Sequence, residues 1–140
     1  TQDIFKDDPS VFYASSHQMP LYPGTGSPAE TGVGNIVNVA LPAHSGGEAM
    51  RQAYGDIILP ALDNFAPDLL LISAGFDAHI RDPLAQLEWV DGDFGWVTAK
   101  LMEVAHRRCG NRIVSLLEGG CDLKGLAGGV RSHVSTLLDL

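Results

Sequence analysis

The stretch Leu69–His79, LLLISAGFDAH, decides how the rest of the chain is read. Leu69 to Ser73 form a continuous apolar run without the alternation of a half-buried strand. Gly75 follows, and then a carboxylate and an imidazole, Asp77 and His79, appear two positions apart. Continuous apolar runs of this length are how strands read when helices cover both faces of a parallel sheet. Arg112–Leu117 (RIVSLL) repeats the pattern, and Val11–Ser15 (VFYAS) and Ile36–Leu41 (IVNVAL) add two further strands.

Helical spacing fills the intervals. Gly47–Phe65 places Met50, Tyr54, Ile57, Ile58, Ala61 and Phe65 on one broad face, with Pro60 predicting a kink or break. Asp91 is suited to cap a helix carrying Phe94, Val97, Leu101, Val104 and Ala105, and Asp122 one carrying Leu123, Leu126, Val130, Val134 and Leu137. The order strand, strand, helix, strand, helix, strand, helix is the grammar of an α/β fold with a mostly parallel sheet and flanking helices. The Pro/Gly-rich segment Pro20–Asn35 joins the first two strands without a helix. A loop of that length is expected to be functional or disordered.

With 140 residues the chain holds at most one domain, and no repeat or interdomain linker divides it. Its net charge of −8 leaves no basic patch for nucleic-acid phosphates and reads as solubility. No apolar run approaches a membrane span, and the first residues are not a signal peptide. Cys109 and Cys121 have neither metal-type spacing nor a disulfide framework, which suits a reducing cytoplasm.

Ligands of open α/β sheets bind outside the carboxyl ends of the strands. Three polar groups fall there: Ser15-Ser16-His17, then Gly75 to His79, then Glu118-Gly119-Gly120-Cys121-Asp122. If the third strand runs on to Asp77, its carboxylate and His79 point the same way and suit a metal such as zinc. Equally, Asp77 caps the next turn while His79 is solvated. Asp82-Pro83 reads as turn chemistry. Glu118-Gly119-Gly120 reads as a tight turn rather than a phosphate loop, since it lacks a Lys and carries an acid. His44 and His106 read as surface residues and His133 as structural, none with a local partner. Cys121 beside a helix start is a candidate nucleophile without a paired base.

Taken in order, TQDIFKDDPSVFYASSHQMPLYPGTG, NIVNVALP, PDLLLISAGFDAHIRDPLAQL and IVSLLEGG resemble the C-terminal half of the zinc-dependent histone deacetylase superfamily. The likeness is to bacterial class II-type deacetylases and to acetylpolyamine or acetoin-utilisation amidohydrolases. It implies about half of an arginase/deacetylase-like domain, and hydrolysis of acetyl-lysine or acetylated polyamines by a zinc-activated water. Under it Asp77 is one of three protein zinc ligands and His79 is not a ligand. Leu21, Tyr22 and Phe76 line the acyl-lysine channel. Ser15 and the carbonyl of Ser16 belong to one monovalent-cation (potassium) site. The carbonyls of Phe5 and Val11, with Asp8, belong to a second.

The family's other two zinc ligands and its paired histidines precede the point where this chain begins, so we expect no complete metal site in it. Cys121 takes the position of a Tyr that polarises the substrate carbonyl. A thiol is a weaker donor on a shorter side chain, and losing one oxyanion donor costs about 10²–10³ in turnover, roughly 2.7–4 kcal/mol. Sheet strands are also missing, so self-association or pairing with a complementary N-terminal chain is expected. Three readings follow: part of a zinc-dependent deacylase that is inactive alone, a non-catalytic relic or interaction module, and a phosphate-binding α/β domain using Gly119-Gly120.

Overall fold

The computed structural model describes residues 1–139. A short helix, α1 (Gln2–Phe5), precedes the strands β1 (Tyr13–Gln18) and β2 (Ile36–Leu41). A helical stretch follows in three pieces: α2 (Gly47–Gln52), a π-helical segment (Ala53–Ile58) and α3 (Leu59–Phe65). Then come β3 (Leu70–Gly75), α4 (Asp91–Cys109), β4 (Ile113–Gly119) and α5 (Leu123–Leu138). The α/β class and the expected order are found. Three strands run on past their apolar stretches, to Gln18, Gly75 and Gly119, because ladder hydrogen bonds continue where side chains begin to line a cavity.

Every strand pair is parallel. β1 pairs with β2 from Tyr13 opposite Ile36 to Gln18 opposite Leu41. β3 pairs with β4 from Leu70 opposite Ile113 to Gly75 opposite Gly119, leaving Glu118 unpaired in a bulge. Among the described residues the two pairs do not join into one sheet. Parallel strands need a crossover of a dozen or more residues, and between β1 and β2 the loop after Gln18 supplies it without a helix. This loop is held in place: Glu30 accepts from the Gly26 N–H at 2.8 Å and from the Gln2 amide, and Asn38 of β2 donates to the Glu30 carbonyl at 3.2 Å.

The face expected along Gly47–Phe65 is corrected by the π-helical segment. Proline lacks an N–H and its ring crowds the carbonyl four residues back. The wider turn ahead of Pro60 accommodates this and rotates the helix. Met50, Ala53, Ile58 and Leu62 face the core, while Ile57 is left 47% exposed.

α4 begins as expected, but Asp93, not Asp91, caps it by accepting the Val90 N–H at 2.9 Å. Asp93 is buried and also pairs with Arg51 at 2.8 Å, which anchors α2 to α4. The polar Thr98 takes the centre of the buried face in place of Val97. α5 departs further. Asp122 caps it, accepting from the Gly125 N–H at 2.7 Å, yet its buried residues are Gly125, Gly129 and His133. Leu123 and Val134 of the expected face are exposed, at 80% and 43%, while Leu126 and Val130 pack against the core half-buried. Glycine explains the choice: a Cβ on Gly129 would lie 2.6 Å from the Phe76 ring, so α5 sits too close for any side chain there.

Two cores result. One gathers Leu41, Met50, Ala74, Phe76, Trp89 and Phe94 between the strand pairs and the starts of α2 and α4. The other packs Leu62 of α3 and Leu70 of β3 against Val104, Ala105 and Cys109 of α4. Helices therefore cover one face of β3–β4. The opposite face, with Leu71 at 63% and Leu116 at 57% exposure, is bare, where the apolar runs predicted cover on both sides.

Candidate active-site cavity

The ends of β1 and β3 open on a cavity of about 580 Å³. Ser15, Ser16, Leu21, Tyr22, Phe76 and Asp77 line it. Chain topology alone brings them together, since β1 delivers the serines and β3 delivers Phe76 and Asp77. The Phe76 N–H donates to the Gly119 carbonyl at 2.8 Å, so the end of β3 is fixed to the end of β4 where Glu118 bulges out. Bulges of this kind re-aim side chains beside functional sites.

Asp77 is exposed to the cavity and forms no hydrogen bond with the described residues. Two glycines leave its carboxylate space: a Cβ on Gly75 would come within 3.1 Å of Oδ1, and one on Gly119 within 3.8 Å of Oδ2. His79 is turned elsewhere. The strand ends at Gly75, so alternation does not carry on to Asp77 and His79. His79 is buried, lies 3.0 Å from Asp91 Oδ1 through Nε2, and accepts the Arg81 N–H at 3.1 Å through Nδ1. It is thus neither a co-ligand of Asp77 nor solvated. The capping role open to Asp77 belongs to Asp82, which accepts from the Leu84 and Ala85 N–H groups at 2.9 and 3.0 Å.

No group of three or more His, Cys, Asp or Glu among the described residues is placed to hold a metal ion. A catalytic zinc normally takes three protein ligands. Asp77 alone does not fit one, and the two imidazoles on the cavity wall are engaged, His17 by Ser15 Oγ at 2.9 Å and the Gly26 carbonyl at 2.9 Å, His133 by Thr98 and Ser115.

The remaining candidates separate. Leu21 and Tyr22 lie at the mouth, Tyr22 at 98% exposure. Cys121 is exposed and does not line the cavity. The turn Gly119-Gly120 leads to an α5 N-terminus already filled by the Asp122 carboxylate, which excludes the phosphate reading. Phe5, Asp8 and Val11 direct their carbonyls at one atom, Nδ2 of Asn35. The Asp8 carboxylate turns away to Ser10, whose hydroxyl and N–H hold its pKa below the usual value.

Among the isolated histidines, His106 is exposed as expected. His44 is exposed but has a partner, Glu88 at 2.8 Å. His133 is buried between Thr98 Oγ1 at 2.6 Å and Ser115 Oγ at 2.8 Å, two partners that local sequence does not reveal. Asn35, Asn38 and the Asp82–Cys121 contact were likewise illegible in sequence. Asparagines inside or heading an apolar strand were the only signal. Asn38 Oδ1 and Trp89 Nε1 are buried without partners among the described residues, and both residues line the cavity.

Comparison with known proteins places these features. Residues 1–137 match the model of the histone deacetylase domain. Over 134 residues the chain is 46% identical to histone deacetylase 10, chloroplastic, of Oryza sativa subsp. japonica, covering 93% of this chain and 30% of that protein. A probable deacetylase of Archaeoglobus fulgidus is 39% identical over 89% of this chain and 36% of its own length. Among solved structures, the histone deacetylase Clr3 superposes with a TM-score of 0.93 at 29% identity, over 100% of this chain and 25% of that one. The HDA15 HD domain gives a TM-score of 0.90 at 32% identity, over 99% of this chain and 40% of that one. The chain thus spans about a third of the curated relatives it matches. No helix among the described residues is long and apolar enough to cross a membrane. With a domain match over almost all its length and two solved relatives sharing its fold, the chain belongs to the histone deacetylase family.

Proposed function

We propose that this chain forms one portion of a zinc-dependent acyl-amide hydrolase, to which it contributes a single metal carboxylate and part of the substrate wall. One observation carries the reading: Asp77, free of any partner among the described residues, faces the cavity at the joined ends of β3 and β4. Phe76, Leu21 and Tyr22 line the same cavity and suit the alkyl stem of an acylated lysine or polyamine. Because one carboxylate does not hold a catalytic zinc, the chain alone is inactive, and no step is assigned to its residues.

The bare face of β3–β4 supports the incompleteness. Leu69, Leu71, Val114 and Leu116 are 44–63% exposed along it, and such an apolar strip marks an interaction surface. The matched relatives are about three times longer than the chain, so the occupant we assign is the remainder of a deacetylase domain, from the same or a complementary polypeptide. A second copy is the competing occupant. The two unpaired thiols are compatible with a reducing compartment, the cytoplasm in our reading; the chloroplast named for plant relatives is the rival address.

A second reading, a relic or interaction module without catalysis, rests on Cys121, which is exposed and outside the cavity wall. Zinc content after dialysis against a mild chelator, together with binding of a hydroxamate, separates the two. If the protein carrying this chain retains zinc and binds hydroxamate, and Asp77→Ala abolishes both, the hydrolase reading holds. Unchanged zinc and hydroxamate binding in Asp77→Ala would sink it. Absence of both in the complete protein establishes the relic.

A further inference from the structure

We propose that the carbonyl cup formed by Phe5, Asp8 and Val11 is closed by the chain itself: the Asn35 side-chain amide takes the place of a monovalent cation. The three carbonyl oxygens lie 2.7, 2.9 and 2.9 Å from Asn35 Nδ2. They come from the end of α1 and the loop that leads from it into β1, and Asn35 immediately precedes β2. One buried amide thus fastens the first eleven residues to the head of the neighbouring strand.

Oxygens converging in this way suit either a cation or a donor with more than one hydrogen. The amide supplies two N–H groups for three acceptors, one of them shared. Its orientation is fixed from the other side, where Oδ1 accepts the Val33 N–H at 3.2 Å. Turning the amide over would place an oxygen among three carbonyl oxygens and an NH₂ against an N–H. Its backbone is held as well, since the Asn35 carbonyl accepts the Tyr13 N–H at 2.9 Å. Asn35 is 5% exposed. Gly32 closes over it with φ +57°, and a Cβ there would fall 2.5 Å from Asn35 Oδ1.

A cation in the cup must displace this amide and shed its own water. Asp8 offers its carbonyl alone, with its carboxylate committed to Ser10 at 2.6 and 2.9 Å. So engaged, the Asp8 carboxylate does not offset the desolvation of an ion. The neutral amide carries its partial charge in place and has no hydration shell of comparable cost. The chain's residues therefore do not fit the cation that the family resemblance implies at these positions. Thr1, Gln2 and Asp3, which line the cavity, lead directly into the Phe5 and Asp8 carbonyls that this amide holds, so the segment is anchored without an ion.

The test is ¹⁵N NMR of the protein labelled at asparagine, with the Asn35 NH₂ assigned by its nuclear Overhauser contacts to Val33 and Ile36. Potassium chloride replaces choline chloride at constant ionic strength. The expected result is a slowly exchanging NH₂ whose two protons do not move. A saturable shift with loss of exchange protection overturns the proposal. Melting of Asn35→Asp in the same two salts is the second measurement, because the carboxylate has no donor and draws a cation into the cup. Its melting temperature should be several degrees higher in potassium than in choline, a larger gap than in the unmodified protein. An equal gap in both proteins would mean that the amide replaces no ion. If Asn35→Asp does not fold in either salt, the NMR titration decides alone.

Discussion

The Asp82 carboxylate accepts the backbone N–H of Cys121 at 2.9 Å, joining two turns 39 residues apart. With the Leu84 and Ala85 N–H groups it takes three backbone donors while 8% exposed. Burial pushes this carboxyl up, but the N–H groups of Cys121, Ala85 and Leu84 together outweigh it and hold the pKa below the usual range. Asp82→Ala leaves buried donors unpaired, and hydrogen bonds to a charged group contribute about 1.5–3 kcal/mol. We expect a loss of at least that size in urea unfolding, and a loosened Cys121 amide visible as faster hydrogen exchange. Unchanged exchange at Cys121 would mean the contact does not order that turn.

Close packing of α5 gives a pair of opposite glycine predictions. A Cβ on Gly129 meets Phe76 Cδ1 at 2.6 Å and Phe94 at 3.2 Å, and both rings are buried. Gly129→Ala gains helix propensity of about 1 kcal/mol, but overpacking of this kind costs about 1–3 kcal/mol. The two rings pack on each other, and Phe94 on Trp89, so displacing them breaks core contacts and net destabilisation is expected in a thermal melt. At Gly92, in the first turn of α4, an added methyl group meets nothing within 4 Å. Gly92→Ala should therefore stabilise by about 0.5 kcal/mol. If Gly129→Ala also stabilised the protein, α5 would be packed more loosely than the structure has it.

His133 tests whether a polar cluster can be read to the proton. The Thr98 hydroxyl donates to the Phe94 carbonyl at 2.6 Å, so its oxygen is left to accept from His133 Nδ1–H. The Ser115 hydroxyl then donates to Nε2. ¹⁵N NMR should find His133 neutral with its proton on Nδ1. Burial lowers its pKa from the ordinary 6.5. A folded-state value below the unfolded one means the unfolded chain binds more protons in that window. Stability from this site is whole above about 6.5 and falls as pH drops towards the lowered value. His133→Gln should flatten that limb of the stability curve, and an unchanged limb would assign it to other groups.

How much of this was legible in the sequence depended on whether the signal was local. The apolar runs at Leu69–Ser73 and Arg112–Leu117 and the Asp122 cap rest on neighbouring residues, and each appears in the fold. The Met50–Phe65 face held at Met50, Tyr54 and Ile58 but lost Ile57, and gained Ala53 and Leu62, because of one π-helical turn. The expected apolar stripe of α5 was met only in part, at Leu126 and Val130, because glycine, invisible to hydrophobic periodicity, decided which side packs closest. At the cavity, Asp77 could be singled out from the end of its strand. Several hydrogen bonds that hold the neighbourhood in place link distant residues, such as Val11 with Asn35, 24 apart, and Asp82 with Cys121, 39 apart. No spacing rule reaches that far.

The strongest acid-range prediction concerns Asp63 at the end of α3. Arg108 Nη2 lies 2.7 Å from Oδ2 and Arg107 Nη2 lies 3.0 Å from Oδ1, tying α3 to the last turn of α4. Hydrogen bonds from Arg108 and then Arg107 hold the carboxyl at a pKa of about 2. The folded value lies below the unfolded one, near 3.9, so the stabilisation is present above about pH 4 and is lost as pH falls towards 2. Asp63→Asn should remove the pH dependence in that interval while leaving the curve above pH 5 parallel to the parent. The pair is partly exposed, so added salt should shrink the difference between the two proteins. Denaturant unfolding at pH 5 and pH 2.5, each at low and high salt, measures all three effects. Equal acid limbs in parent and variant would show that these arginines do not hold Asp63 in solution.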